Sequence, residues 1–359
     1  MFIPSHTIWL LSDSDVQARL DISRSYLRST GSTLIGLEVL EREESLSDRN
    51  LSVQVSAMSR ARRELSHMGA EPVLSVHAPY VPIEKFDLAS DSSETRRSTV
   101  QAVTRCAKLA ESIGARVVNT HLGGIVRTRS NASFKDPSAK EVLLGRVKDS
   151  LVDIIGGIEQ HDVTLAMENV PYPLEETPKY SPVVGIFPRD FSEILKTIGS
   201  MNIAVTVDFC HLWITHKTMK EFSTIVDSHR AGGRVNAASY HGLTCYEADS
   251  IKALAVNPFE AFIKPLRERI IHIHVADSIG TYVPGTSRVS EGEPLGEGDL
   301  DLCAFADSLR QIESCSPNGK SIMIVLEPKE ADFAKPLNAL RSLLRLDNLI
   351  KTEIYQKKG

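Results

Sequence analysis

Short runs of β-branched and other apolar residues recur along the chain and alternate with longer stretches of helical periodicity. Eight such runs predict β-strands, near residues 7–12, 34–40, 73–80, 117–122, 164–170, 203–210, 270–277 and 322–328. The segments between them fit helices, most clearly 92–113, where apolar residues keep the helical period up to Gly114. This repeated alternation of strand and helix predicts an α/β fold, a parallel sheet closed into a (β/α)8 TIM barrel.

The length of the chain fits a single barrel. A chain of 359 residues falls in the size range of such barrels, so residues 1–359 are expected to form one domain. Two connections are predicted to be long loops, 123–136 after the fourth strand and 212–269 between the sixth and seventh strands. Because loops at this end of barrel strands shape access to the active site, 212–269 is a candidate lid or oligomer contact.

The phase of the strands places polar side chains on the inner face of the predicted barrel. In IAVTVDF, Val205 and Val207 point outward to the helices, so Asp208 points inward. The same phase turns the following residues inward: Glu38, His77, His121, Glu168, His272, His274 and Glu327. Carboxylates that converge in a buried place need a cation or buried arginines to compensate their charge, and a metal ion is the simpler solution. Carboxylate and imidazole ligands without thiolate predict a divalent metal ion, either manganese, zinc, cobalt or iron(II).

Each of these residues has a structural interpretation when it is taken alone. An inward histidine or glutamate can simply satisfy hydrogen bonds, and only their common phase on successive strands favours a metal site. His272 lies one layer deeper than His274, where it fits a core group or a group that orients a ligand.

Composition and charge limit the kinds of partner and the cellular location that are expected. Forty-six acidic and 41 basic residues give a net charge of −5, which provides no general attraction to nucleic acid or to an anionic membrane. The chain has five widely spaced cysteines and no C-x-x-C pair, which favours reduced thiols. Without a segment long and apolar enough for a bilayer or an export signal, a cytoplasmic protein is expected.

The order of several short motifs resembles a known family. These motifs are VHAPY, VVNTHLGG, LAMENVP, VTVDFCHLW, HIHVADS, LGEGDLD and IVLEPK, and they resemble the xylose isomerase-like TIM-barrel superfamily. That superfamily contains sugar and sugar phosphate isomerases and epimerases, and abasic-site nucleases of the endonuclease IV type. The resemblance implies that the common metal ion is bound by Glu168, Asp208, His274 and Glu327.

The two branches of the superfamily give other residues different roles. His211 matches a substrate-binding histidine of the isomerases and a ligand of a third zinc ion in the nucleases. His77 and His121 match pocket residues of the isomerases and ligands of a second metal ion in the nucleases. The nucleases also carry an Asp-x-His pair before the Leu-Gly-Glu-Gly motif, where this chain has Ser290 and Gly292. Glu291 or Glu293 could supply an oxygen ligand there.

The leading hypothesis is therefore a metal-dependent isomerase or epimerase acting on a small polyhydroxylated carbonyl compound, such as a sugar, sugar phosphate or cyclitol. Glu168 and Glu327 would be base and acid around an enediolate, and His211 would bind and orient the substrate. The alternatives are a nuclease or phosphodiesterase with His77 and His121 on a second metal ion, a lyase or dehydratase using the same enediolate, and a non-catalytic subunit. A homodimer is expected by analogy with other barrels.

Overall fold

A parallel barrel forms the centre of the computed structural model, which describes residues 1–127, 137–172, 180–230, 248–280, 290–316, 321–332 and 335–356. In chain order the strands are β1 (Phe2–Ile8), β2 (Leu34–Leu40), β3 (Glu71–His77), β4 (Val117–His121), β5 (Ile125–Arg127), β6 (Thr164–Glu168), β7 (Tyr180–Pro182), β8 (Ile203–Asp208), β9 (Ile270–Val275) and β10 (Ile322–Leu326). Eight of them close the barrel in the order β1-β10-β9-β8-β6-β4-β3-β2. The predicted fold class is confirmed.

Helices surround the barrel on the outside. In chain order they are α1 (Asp13–Thr30), α2 (Asp48–Ser66), α3 (Ser93–Ile113), α4 (Pro137–Ile158), α5 (Pro188–Ile198), α6 (Phe209–Arg230), α7 (Ala248–Val256), α8 (Pro258–Ile263), α9 (Leu302–Cys315) and α10 (Leu337–Leu349). The predicted helix 92–113 is confirmed as α3: the side chain of Ser92 accepts from the Thr95 amide, and Gly114 ends the helix with a φ of 72°. Such a positive φ favours glycine because a Cβ atom would crowd the backbone.

The first strand lies earlier than predicted. The run 7–12 was expected as the strand, whereas β1 pairs Phe2 with Ile322 on one side and Ile8 with Val39 on the other. The chain leaves the sheet after Ile8 because Ser12 is needed as the N-cap of α1, where it accepts from the Asp15 amide. The polar residues Ser5 and His6 interrupt the apolar pattern that would predict this strand, yet both are fully buried and hydrogen-bonded.

The inward and outward phase of the strands agrees with the prediction. Outward residues such as Val205 and Val207 are fully buried in one apolar core between the strands and the helices. The inner face instead carries a polar layer below the carboxyl ends of the strands, made by Glu38, Ser75, Asn119, Thr206 and His272, all with 0% exposure. These polar groups lie in the same barrel cavity as the candidate ligands one layer above.

The two predicted long loops contain regular structure where they are described. After β4, strand β5 pairs antiparallel with β7 outside the barrel, and residues 128–136 lie outside the described residues. In the connection 212–269, residues 231–247 lie outside the described part, but α7 contacts α6, and α8 contacts α5 and α9. The described part of this connection is therefore helical rather than a loop, because residues such as Leu254 and Phe262 are buried against the barrel layer. Among the described residues, no helix combines the length and the apolar character that crossing a bilayer requires.

Candidate metal centre

Glu168, the last residue of β6, lies at the centre of the polar side chains that the sequence placed inward. Its Oε1 is 3.3 Å from His274 Nδ1 and 3.6 Å from His211 Nδ1. Its Oε2 is 3.2 Å from His77 Nε2 and 3.3 Å from His121 Nε2. One carboxylate thus faces two groups of histidines, each through a different oxygen.

The structure brings the four predicted metal ligands together. Potential ligand atoms of Asp208, His274 and Glu327 lie within 4.8 Å of one another, and so do those of Glu168, Asp208 and His211. Three of the four are buried, and only the side chain of Glu327 is partly exposed, at 29%. The set therefore lines a buried pocket in which Glu327 is the member that reaches solvent.

Two buried atoms of this pocket that lack hydrogen-bond partners indicate a cation site. His274 Nδ1 and Glu168 Oε1 are buried and have no hydrogen-bond partner among the described residues. On the far side of the ring, His274 Nε2 lies 2.8 Å from Glu38 Oε1. A proton on Nε2 leaves a lone pair on Nδ1, which then faces carboxylate oxygens of Glu168 and Glu327 at 3.3 Å and 3.6 Å. A proton or a metal ion offsets the repulsion between these groups. Although burial opposes it, the charges of Glu168 and Glu38 raise the pKa of His274 well above its usual value, and the same donor set fits a divalent metal ion.

The electrostatics separate the two glutamates of the pocket. Burial would raise the pKa of Glu168, but the charges of His274 and His121 hold it well below its usual value. Burial raises the pKa of Glu327 to about 7, and the charge of Glu168 adds to the rise while His274 opposes it. Two carboxyl groups with pKa values pushed apart are typical of a site where one accepts a proton and the other donates it.

His211 lies beside the pocket in a fixed orientation. Its Nδ1 donates to the Asn169 carbonyl oxygen at 2.7 Å, and its Nε2 lies 3.2 Å from Glu291 Oε1. Although burial opposes it, the charge of Asp208 and the hydrogen bond with Glu291 raise the pKa of His211 to about 10. The imidazole is therefore a hydrogen-bond donor that faces the pocket mouth.

Glu291 and Glu293 were the two candidates for an oxygen ligand before the Leu-Gly-Glu-Gly motif, and Glu291 is the one that lies beside the site. Glu293 instead forms a backbone bridge with Asp277, and its Oε1 lies 3.5 Å from the Ser290 hydroxyl. Of the two acids, only Glu291 contacts His211. The structure thus places the carboxylate of Glu291 next to His211 at this edge of the site.

Sequence reasoning missed several polar residues around the site. Asn119 donates its amide to Glu168 Oε2, and Asn169 donates to the Asp208 carbonyl oxygen and accepts from the Asp208 amide. Asn119 stands two residues before His121 in the same inward phase, which was the available signal. Tyr80 stacks on the His121 ring with centroids 4.4 Å apart, and it belongs to the VHAPY motif. These residues orient or cover the candidate ligands.

Asp277 organises the segment that carries Glu291. Its carboxylate accepts hydrogen bonds from the amides of Ser278, Gly296 and Leu300, at 2.8, 2.6 and 3.0 Å. Its own backbone pairs with Glu293. One buried side chain therefore ties the end of β9 to the segment around the Leu-Gly-Glu-Gly motif, and this fixes the position from which Glu291 reaches His211.

Comparisons with known proteins agree with this architecture. The chain is 26% identical to the uncharacterized protein MJ1311 of Methanocaldococcus jannaschii over 282 residues, which are 77% of this chain and 72% of that protein. Among solved structures it is similar to a D-tagatose 3-epimerase-like protein, with a TM-score of 0.62, 20% identity and full coverage of both chains. It is also similar to endonuclease IV from Thermus thermophilus, with a TM-score of 0.52 and 15% identity over 96% of this chain and 99% of that chain. The profile of the xylose isomerase-like TIM barrel family matches residues 27–345, so the chain belongs to the xylose isomerase-like TIM barrel family.

Proposed function

We propose that this protein is a divalent-metal-dependent isomerase or epimerase of a small polyhydroxylated carbonyl compound. Glu168, Asp208, His274 and Glu327 would hold the metal ion, which when bound polarises the substrate carbonyl and stabilises an enediolate. The observation that carries the proposal is the placement of two glutamates, one from β6 and one after β10, at 3.3 Å and 3.6 Å from His274 Nδ1. This arrangement offers a base and an acid at one substrate carbon.

The protein groups divide the proton transfers between them. In one direction Glu168 takes the proton from the carbon next to the carbonyl, and Glu327 returns a proton to the enediolate from the other side. His211, held by Asn169 and Glu291, donates a hydrogen bond to a substrate oxygen. His77 and His121 line the pocket beyond Glu168 Oε2 and contact the rest of the substrate.

A second candidate function, phosphodiester cleavage, rests on the histidines around Glu168 Oε2. His77 Nδ1 donates to the Ala78 carbonyl oxygen at 2.7 Å, which leaves a lone pair on Nε2. That lone pair and His121 Nε2 both face Glu168 Oε2, so these three residues could hold a second metal ion. The presence of Ser290 and Gly292 in place of an Asp-x-His pair weighs against the nuclease.

Two substrate assays separate these functions. Metal-loaded protein is incubated with a panel of ketoses and ketose phosphates in deuterated water, and separately with a DNA duplex that contains one abasic site. We expect deuterium at the carbon next to the carbonyl and an uncut duplex. Strand cleavage without deuterium incorporation would replace the proposal by the nuclease.

Two variants test the roles of the glutamates, with a matched buried glutamate as the control. Glu168→Gln and Glu327→Gln should each abolish deuterium incorporation while the circular dichroism spectrum stays unchanged. Among the described residues, Glu41 accepts hydrogen bonds from the side chains of Ser45 and Gln54 and lies outside the site, so Glu41→Gln should keep full activity. Deuterium incorporation that persists in either site variant would remove that residue from the proton transfer.

A further inference from the structure

Glu38 is the one candidate inward acid that lies below the pocket rather than at its rim. It stands in the middle of β2, its side chain is fully buried, and it pairs in register with Ser75 of β3. Because no part of Glu38 is exposed, it reaches neither solvent nor a substrate at the mouth of the barrel. A charged group in such a place needs a specific partner to offset its loss of hydration.

The contacts of Glu38 divide between its two oxygens. Oε2 accepts the Ser75 hydroxyl at 2.8 Å and lies 3.2 Å from His272 Nε2. Oε1 lies 2.8 Å from His274 Nε2 as a close ion pair, and neither of these two atoms has a hydrogen-bond partner among the described residues. Ser75 and His272 thus fix the plane of the carboxylate, and that plane presents Oε1 to the back of the His274 ring.

The opposite edge of the His274 ring belongs to the metal pocket. Nδ1 faces Glu168 Oε1 and Glu327 Oε2 and has no hydrogen-bond partner among the described residues. An imidazole binds a metal ion through only one lone pair, so the proton must sit on the other nitrogen. A carboxylate beside Nε2 selects that tautomer and increases the electron density that Nδ1 offers.

We infer that Glu38 is a positioning residue for metal binding, which holds His274 with its proton on Nε2 so that Nδ1 is available as a ligand. Ser75 and His272 support this role by orienting the carboxylate. The inference rests on the proposed metal site formed by Glu168, Asp208, His274 and Glu327. It adds a residue that contacts neither the metal ion nor the substrate but determines how tightly the metal ion is held.

Cobalt(II) is the probe for this inference, since it reports both affinity and ligand geometry. The full chain is freed of metal with a chelator, and Co²⁺ binding is measured by competition with a chromophoric chelator and by the visible d–d bands. The variants are Glu38→Gln, which keeps shape and removes charge, and Glu38→Asp, which keeps the charge. Glu41→Gln is the control, because it changes a second buried glutamate near the end of the same strand that faces Ser45 and Gln54 instead of the barrel interior.

The expected result follows from the usual effect of removing a carboxylate behind a ligating histidine. Glu38→Gln should weaken Co²⁺ binding by about 10- to 100-fold and shift the d–d bands, Glu38→Asp should recover part of the affinity, and Glu41→Gln should match the unmodified protein. If Glu38→Gln does not fold, Ser75→Ala, which removes only the hydroxyl that orients Oε2, should still shift the bands and weaken binding. A folded Glu38→Gln or, failing that, Ser75→Ala protein with unchanged affinity and spectrum would overturn the inference.

Two further outcomes of the Co²⁺ titration would have different consequences. Glu38, His272 and His274 are themselves close enough to hold an ion, so two Co²⁺ ions per unmodified chain with one lost in Glu38→Gln would make Glu38 a ligand and overturn the positioning role. An unmodified protein that binds no Co²⁺ would refute the metal site, and with it the proposed function. A failure of the inference is therefore separable from a failure of the proposed function.

Discussion

Glu41 offers a test of the burial energetics that is independent of the metal. This carboxylate follows β2, is only 7% exposed, and accepts hydrogen bonds from the side chains of Ser45 and Gln54. Burial raises its pKa from 4.5 to about 7, and the two hydrogen bonds offset only part of that rise. Glu41→Gln removes the titrating group and keeps its shape.

The magnitude follows from the difference between the two pKa values. A rise from 4.5 to about 7, at about 1.4 kcal/mol per pKa unit, makes the ionised form cost about 3 kcal/mol in the folded state. Because the folded-state pKa is the higher one, the stability associated with protonated Glu41 is fully present below pH 4.5 and is lost as the pH rises through about 7. Either the Gln54 amide turns over and accepts from the new amide group, or the Ser45 hydroxyl donates to the Arg42 carbonyl oxygen at 2.6 Å and accepts from that group, so glutamine at 41 keeps both partners.

Urea denaturation at two pH values measures this effect. At about pH 8 the Glu41→Gln protein should have a free energy of unfolding about 3 kcal/mol above that of the unmodified protein, and at about pH 4 the two should nearly coincide. Equal stability at both pH values, or a less stable variant at the higher one, would refute the argument that burial disfavours the ionised form of this carboxyl group.

Four other predictions concern packing in the barrel, helix propensity in α4, the segment that carries Glu291, and the metal ion. Gly36→Ala would put a Cβ against Ser5 Oγ and 2.9 Å from Met323 Cε, so it should lower the free energy of unfolding by about 1–3 kcal/mol. Gly145→Ala in α4, whose Cβ meets nothing within 4 Å, should instead raise it by about 0.5–1 kcal/mol in the same urea titration. Asp277→Asn replaces an oxygen that accepts amide hydrogens by an amide donor, so it should lower the free energy of unfolding by about 1–3 kcal/mol in that titration. It should also lower substrate turnover, because it releases the segment that carries Glu291; unchanged turnover would disprove this link. Removing metal with EDTA should lower the melting temperature of the unmodified protein in differential scanning fluorimetry, and it should lower that of Asp208→Asn by less. An equal decrease in both proteins would exclude Asp208 as a ligand.

Strand phase was sufficient to place the candidate ligands. A period of two residues alternates the faces of a strand, and parallel strands of a barrel bring their carboxyl ends to one rim, so Asp208, Glu168 and Glu327 could be assigned to the interior from local sequence alone. The caps Ser92 and Gly114 likewise defined α3, because the chemistry that starts and stops a helix is local. The first strand was misplaced because its polar residues Ser5 and His6 break the apolar pattern, although Ser5 donates to the nearby Ile3 carbonyl oxygen and His6 finds Ser23 of α1 as a partner in the fold.

The sequence by itself therefore determined the barrel and the inward set of acids and histidines, and for this set it predicted a divalent cation. Only the tertiary structure decided which nitrogen of His274 faces the pocket, that Glu38 lies behind that ring, and that Glu291 rather than Glu293 contacts His211. Phase along a strand is a local property, whereas these contacts depend on strand register and on the loop held by Asp277, which join residues that are far apart in the chain.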